Sequence, residues 1–295
     1  LKREYPWLKT IIMQGGTLRQ KYPEIISKTK QVFFHQIAAF VLFQTSPLII
    51  YTYASLTLVA VYGNYMLIIT GVTLLMDALL RSINAGVGSL VAEGDKERIK
   101  KVFWELTSLR LWLASVVCFG IYKLGHSFII LWVGNDFLLE QSAFIVLIAI
   151  TFIGLSRTND TFLAAYGLFQ DVWAPVTEAV LNLGLSILLG YYYGLTGILS
   201  GVLISLLVIV CIWNPLFLYK CGFKENIGEY VIRLFKYLAL IAVSCISISW
   251  LGDCLFSNSF HSYGQWCLYA FNFLCCTPYS VWLFSFVWTR PPVLM

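Results

Sequence analysis

The sequence predicts an all-α protein, a polytopic bundle of about eight membrane helices. Of its 295 residues, 59% are hydrophobic and 12% are charged, whereas a soluble domain carries about 25% charged residues. The mean hydropathy is +0.78. The apolar runs are about 20 residues long. This is the length that a helix needs to cross a bilayer, and it exceeds the length of a barrel strand, so the runs indicate membrane helices. These observations exclude a soluble globule, a disordered chain and a nucleic-acid-binding domain.

The first element is a basic, polar segment at residues 1–31 that contains seven Lys or Arg residues and no recognisable signal peptide. Because the chain starts at Leu1, we expect a cytoplasmic connector here and interpret the chain as the C-terminal portion of a longer protein. Eight apolar runs follow, each long enough for one membrane helix. They lie at about 33–53, 58–80, 104–125, 142–162, 173–192, 195–219, 233–251 and 263–288.

Lys and Arg are concentrated in every second connector between these runs. Lys and Arg occur at residues 96–101, at 220–224 and again at Arg290 after the last run. Four connectors on the other side contain neither residue type, namely 54–57, 126–141, 193–194 and 252–262. The connector 163–172, which the alternation would make basic, is the exception, because its one charged residue is Asp171. Since short cytoplasmic loops are enriched in Lys and Arg, the alternation predicts a multi-pass protein with both ends cytoplasmic.

Two local patterns predict details of the helices. The apolar pattern from Leu58 to Ala92 would form a helix of about 52 Å, which either extends beyond the bilayer or breaks near Gly86 and Gly88. Gly94 is suited to end that helix and Asp95 to cap the next one. In the sixth run, small residues spaced by four predict a close helix–helix contact. They are Gly197, Gly201 and Ser205.

Polar residues within or beside the spans are the candidates for function. The arginines and the other polar candidates are Arg81, Arg110, Arg157, Asp77, Asp160, Glu178, Asn64 and His35. For the charged ones, snorkelling to the interface is the alternative. Asp77 and Arg81 are one helical turn apart and can neutralise each other. Arg157 and Glu178 lie at similar depth on neighbouring spans, which predicts an ion pair between them.

The cysteine and histidine pattern predicts neither a metal site nor a disulfide framework. The chain has 8 Cys and 3 His, most of the cysteines lie in apolar runs, and no CxxC pair occurs. We therefore expect no cofactor, and we identify no catalytic residue.

Several short motifs, in order, carry a resemblance to a known family. They are Tyr62–Ile68, Gly88–Asp95, Leu131–Gly134, Ala165–Phe169, the set Asp171, Pro175, Glu178, Ala179, Asn182 and Ser186, then Gly194–Gly201 and Pro215–Lys220. Over roughly residues 20–235 the chain resembles the polysaccharide flippases of the multidrug/oligosaccharidyl-lipid/polysaccharide exporter superfamily, which occur in bacterial capsule and O-antigen clusters.

The resemblance implies the second half of a two-lobed transporter. Residues 1–31 would be the inter-lobe linker, 32–220 a six-helix lobe and 221–295 two additional helices; the first lobe has no counterpart in this chain. The implied activity is export of an undecaprenyl-diphosphate oligosaccharide across the inner membrane by alternating access. The arginines would contact the diphosphate, and Asp77, Asp160 and Glu178 would take part in H⁺ or Na⁺ coupling. Asn64 and His35 are candidates either for coupling or as buried polar residues. Membrane lipids and polysaccharide polymerase or assembly proteins are the implied partners.

Two other functions remain open at this point. A multidrug or cation antiporter of the same superfamily would need a carboxylate deep within a lobe, and here the acids lie mainly near the predicted cytoplasmic ends. A membrane enzyme of polysaccharide assembly would need an acid, a base or a nucleophile on an accessible loop. The short loop 126–141 offers only His126, Asp136 and Glu140, so we expect no enzymatic activity.

Overall fold

A computed structural model of the chain describes residues 29–30, 33, 47–53, 55–168 and 173–255, and this part of the chain is helical, with no strand. The main helices are α1 (Leu56–Glu93), α2 (Lys96–Trp132), α3 (Gln141–Leu155), α4 (Thr158–Ala165), α5 (Trp173–Leu206), α6 (Asn214–Phe217) and α7 (Gly228–Leu255). Two π-helical segments, Leu207–Trp213 and Leu218–Phe223, flank α6. The predicted all-α class is therefore confirmed for these residues.

Five helical runs among the described residues are long and apolar enough to cross a membrane. They are Leu56–Glu93, Lys96–Trp132, Gln141–Ala165, Trp173–Phe223 and Gly228–Ser249. The total of about eight spans stays a prediction. The last predicted span and the polar segment before residue 29 lie outside the described residues, and the first span is described mainly at 47–53.

The connection between α1 and α2 is a tight turn. α1 continues through Gly86 and Gly88 and ends at Glu93. Of the two predicted alternatives, a helix longer than the bilayer core and a helix broken near the two glycines, the structure shows the long helix. Gly94 has a left-handed backbone with φ 81°, and Asp95 accepts a hydrogen bond from the Arg98 amide at 3.2 Å. Both residues act as predicted, since glycine adopts positive φ without a Cβ clash and an Asp at the N-cap satisfies a free amide.

Replacing Gly94 by alanine is expected to lower the free energy of unfolding by about 1 kcal/mol, because a Cβ is strained in the left-handed region. Gly88→Ala is the matched control, since its ideal Cβ would meet nothing within 4 Å and alanine favours the helix. Thermal unfolding in detergent measures both variants. Equal effects of the two substitutions would contradict the assignment of Gly94 as the C-terminal cap.

α5 is a hairpin of two helical arms. The backbone of Gly194 is non-helical, with φ 56° and ψ −136°, and the Ser186 hydroxyl donates to the Ile198 carbonyl at 3.0 Å. A continuous helix would separate these two residues by roughly 18 Å along its axis. The chain therefore reverses at Gly194, as the separate predicted spans 173–192 and 195–219 required.

The small-residue stripe forms the contact between the two arms. An ideal Cβ on Gly197 would collide with the Leu189 carbonyl oxygen, and one on Gly201 would lie 2.7 Å from the Leu185 carbonyl carbon. Ser205 is fully buried. The predicted close approach of helices at this stripe is confirmed.

An aromatic cluster closes the end of the bundle that carries the Gly94 turn, here called the basic end. Phe103 and Trp104 of α2 pack against Phe162, Tyr219 and Tyr230. Lys100 extends this contact by donating to Glu225 at 2.8 Å and to Glu229 at 3.0 Å. The start of α7 is thereby held against α2 and α4.

A second apolar core lies at the opposite end, where Tyr65 packs edge-on against Phe144 with ring centroids 5.3 Å apart. Tyr62 and Leu147 of this core, and Leu163 beside the aromatic cluster, also line a cavity. The two packed ends therefore bound the site described next.

Candidate functional site

A cavity of about 910 Å³ lies among α1, α3, α4 and α5. Its wall is apolar over most of its length and polar toward the basic end. The charged and amide-bearing side chains that line it are Asp77, Arg81, Asn84, Arg110, Arg157, Asp160, Glu178, Asn182 and Asn214. Six of the eight residues predicted as functional thus line one cavity.

α1 contributes one helical stripe to this wall. Thr70, Thr73, Asp77, Arg81 and Asn84 line the cavity, and their spacing of three and four places them on one face. Asn64 is absent from the wall, since it lies roughly 140° from Asp77 around the helix at 100° per residue. His35 lies outside the described residues.

The sequence predicts that Asp77 and Arg81 neutralise each other across one helical turn. In the described part of the chain they form no ion pair with each other. Both residues are exposed on the cavity wall. Hydrated charges beside an open cavity gain little from pairing, because the Coulomb energy is small in water and two long side chains would lose rotamer freedom.

Arg110 is buried and held by three acceptors. It is 8% exposed. Its Nη1 donates to the Arg157 carbonyl at 3.2 Å, and its Nη2 donates to Asn84 Oδ1 at 3.0 Å and to Thr161 Oγ1 at 3.1 Å. The guanidinium therefore links α2 to α1 and to the start of α4, while its Nε is buried without a partner among the described residues.

Arg157 stands at the break between α3 and α4 and contacts two carboxylates. Its Nη2 is 3.4 Å from Glu178 Oε1, and its Nη1 is 3.4 Å from Asp160 Oδ2. The predicted ion pair with Glu178 is confirmed. The side chain of Glu178 is 9% exposed, whereas that of Arg157 is 30% exposed, so the carboxylate is the more deeply buried partner.

Asn214 of α6 contacts the charged group that Arg157, Asp160 and Glu178 form. Its Nδ2 donates to Asp160 Oδ1 at 2.7 Å. Asn214 directly follows the π-helical segment Leu207–Trp213, and π-helical turns occur frequently at functional sites. The charged group thus connects α4, α5 and α6.

Three arginines and three acidic residues line the cavity, so their formal charges cancel. Arg110 is held by neutral acceptors, and Arg157 is shared by Asp160 and Glu178. Arg81 forms no hydrogen bond or ion pair with the residues that the structure describes. An anion entering the cavity would therefore meet Arg81 as an unengaged cation.

Comparison with known proteins gives no match among family models, curated proteins or solved structures. Within the described part of the chain, no three or more His, Cys, Asp or Glu side chains are grouped so as to hold a metal ion.

Sequence reasoning missed Asn84, Thr161 and Asn214 as members of the site. A signal existed for Asn84, which lies seven residues after Asp77 and three after Arg81 on the same helix face. No comparable signal existed for Asn214, because the π-helical segment before it shifts the helix out of the 3.6-residue period.

Proposed function

We propose that the chain forms one lobe of a transporter that moves an undecaprenyl-diphosphate oligosaccharide across the bacterial inner membrane by alternating access. The single observation that carries this proposal is the 910 Å³ cavity, which places three arginines between long apolar helices. The proposal is the one that the sequence resemblance suggests. In it the chain is not an enzyme and needs no cofactor beyond a coupling H⁺ or Na⁺.

The chemistry of the cavity suits this substrate. A diphosphate needs cationic or N–H donors, and arginine offers a planar fork that matches phosphate oxygens. The polyprenyl chain is apolar and would stay among lipid tails. Met66 and Ile69 of α1 and Leu147 and Ile150 of α3 belong to the apolar part of the cavity wall. The sugar and the diphosphate would therefore lie at the polar end.

The acids of the cavity supply a means of coupling. Asp160 and Glu178 both contact Arg157, so binding of H⁺ or Na⁺ to these acids would leave the charge of Arg157 unbalanced and would make the cavity as a whole more positive toward an anion. Release of the ion would restore the balanced cavity. In the proposed cycle, substrate binding and ion binding are thus linked through the charge balance of the cavity.

A cation antiporter is the second candidate, and Glu178 is the observation that favours it. Its side chain is 9% exposed and lines the cavity, which is the kind of enclosed carboxylate that cation exchange needs. The two candidates differ in the charge of the cargo, so transport assays with an anionic lipid and with a cationic dye separate them.

The test is a flipping assay with the full-length, two-lobed protein in proteoliposomes that contain a fluorescent undecaprenyl-diphosphate oligosaccharide. An impermeant reductant is expected to bleach the label of both leaflets when the protein is present, and only the outer-leaflet label in vesicles without it. Arg81→Ala is expected to slow flipping about tenfold, because hydrogen bonds to a charged group are lost.

Arg98→Ala is the matched control, because Arg98 pairs with Glu93 at an exposed position away from the cavity. Its flipping rate should equal that of the unchanged protein. Efflux of a cationic dye without any flipping of the lipid would contradict the flippase proposal and would support the cation antiporter.

A further inference from the structure

We propose that Arg81 and Asn84 together form the anion-contact pair of the cavity, and that Arg110 positions the Asn84 amide without touching the anion itself. This inference rests on the proposed function for its physiological ligand, a diphosphate headgroup. Its chemistry can be tested with inorganic pyrophosphate alone.

The orientation of the Asn84 amide follows from its neighbours. A guanidinium has five N–H donors and no acceptor, so the Asn84 atom that faces Arg110 must be the oxygen. Asn84 Oδ1 accepts from Arg110 Nη2 at 3.0 Å and from Thr161 Oγ1 at 3.3 Å. The two N–H groups of the amide therefore point away from Arg110.

Arg81 lies three residues before Asn84, so the two side chains are neighbours on one face of α1. Both are exposed and both line the cavity. Neither the Arg81 guanidinium nor the Asn84 NH₂ group has a hydrogen-bond partner among the described residues. An anion at this position would find donors from both side chains.

The other two arginines are already engaged. Arg110 is 8% exposed and donates to three acceptors, and Arg157 is shared by two carboxylates. Recruiting either one would break existing contacts. The pair on α1 can bind an anion without such a loss.

The test measures pyrophosphate binding to the purified protein in nanodiscs by calorimetry. Asn84→Asp retains an oxygen that accepts from Arg110 and Thr161, but it replaces the free N–H donors by a negative oxygen. We expect the Kd for pyrophosphate to rise roughly 10- to 100-fold. Asn226→Asp is the matched control, because it makes the same change at an exposed position that does not line the cavity, and it should leave the Kd unchanged.

Arg110 is tested as a positioning residue by a double-mutant cycle. Arg110→Gln should weaken pyrophosphate binding when Asn84 is present and should have little further effect in the Asn84→Asp protein. A direct contact between Arg110 and the anion would instead make the two losses additive, which would overturn the positioning role. Thermal unfolding of each variant verifies that it is folded.

The outcomes separate this inference from the proposed function. Pyrophosphate binding that depends on Asn84, without lipid flipping, would sink the flippase and leave the contact pair standing. Lipid flipping with an unchanged KM in Asn84→Asp would sink the contact pair and leave the flippase standing. Absence of saturable pyrophosphate binding by the unchanged protein also overturns the contact pair.

Discussion

Gly197→Ala is expected to lower the free energy of unfolding by about 3 kcal/mol, the upper end of the usual range for overpacking. The new Cβ would meet the Leu189 carbonyl oxygen, and backbone cannot move aside as the tip of a side chain can. The two arms of α5 would have to separate. Thermal or denaturant unfolding in detergent measures the loss.

The same substitution should also impair transport. The first arm of α5 brings Glu178 and Asn182 to the cavity, and the second arm brings Leu199 and Val202. Separation of the arms would displace both walls. Gly184→Ala is the matched control, because its ideal Cβ meets nothing within 4 Å. Similar stability of the Gly197 and Gly184 variants would show that the arms do not touch at the stripe.

Reversal of either charge in the Arg157–Glu178 pair is expected to cost about 3 kcal/mol of stability, because it leaves a poorly hydrated charge beside one of like sign. Arg157→Glu would also face Asp160, which now lies 3.4 Å from Arg157. The double reversal should recover much of the stability and activity lost in each single variant. Recovery would be incomplete, because Asp160 keeps its charge.

The control for this prediction is an exposed pair of the same type. Glu93 and Arg98 lie 3.1 Å apart with side chains 57% and 64% exposed. Exposed pairs contribute about 1 kcal/mol or less, so the corresponding reversals should have little effect. If the double reversal of Arg157 and Glu178 is no better than either single one, the two residues do not act as a pair.

Features that depend on local rules could be predicted from the sequence. The turn at Gly94 and Asp95 follows from capping preferences, and the hairpin contact at Gly197 follows from the spacing of small residues. The Arg157–Glu178 pair required only the depth of two positions on adjacent helices. These predictions hold because each uses the regular geometry of one or two helices.

Features that depend on the packing of distant segments could not be predicted. In the sequence, nothing distinguishes Arg110 from Arg81, because both are single arginines within apolar runs. The partners of Arg110, Asn84 and Thr161, lie 26 and 51 residues away along the chain. Asn214 reaches Asp160 across 54 residues. No period or spacing relates such positions.

Hydropathy and helical periodicity were sufficient to predict the helical class and to identify the charged residues within the spans as candidates, because both act over short distances along the chain. That these residues line one cavity is a finding of the tertiary structure. Which of those charges are engaged became visible only in the folded bundle. Arg110 and Arg157 are held by neighbours from other helices, whereas Arg81 remains open to the cavity. The partners of a side chain in a bundle depend on how whole helices pack, and that packing is a property of the complete fold.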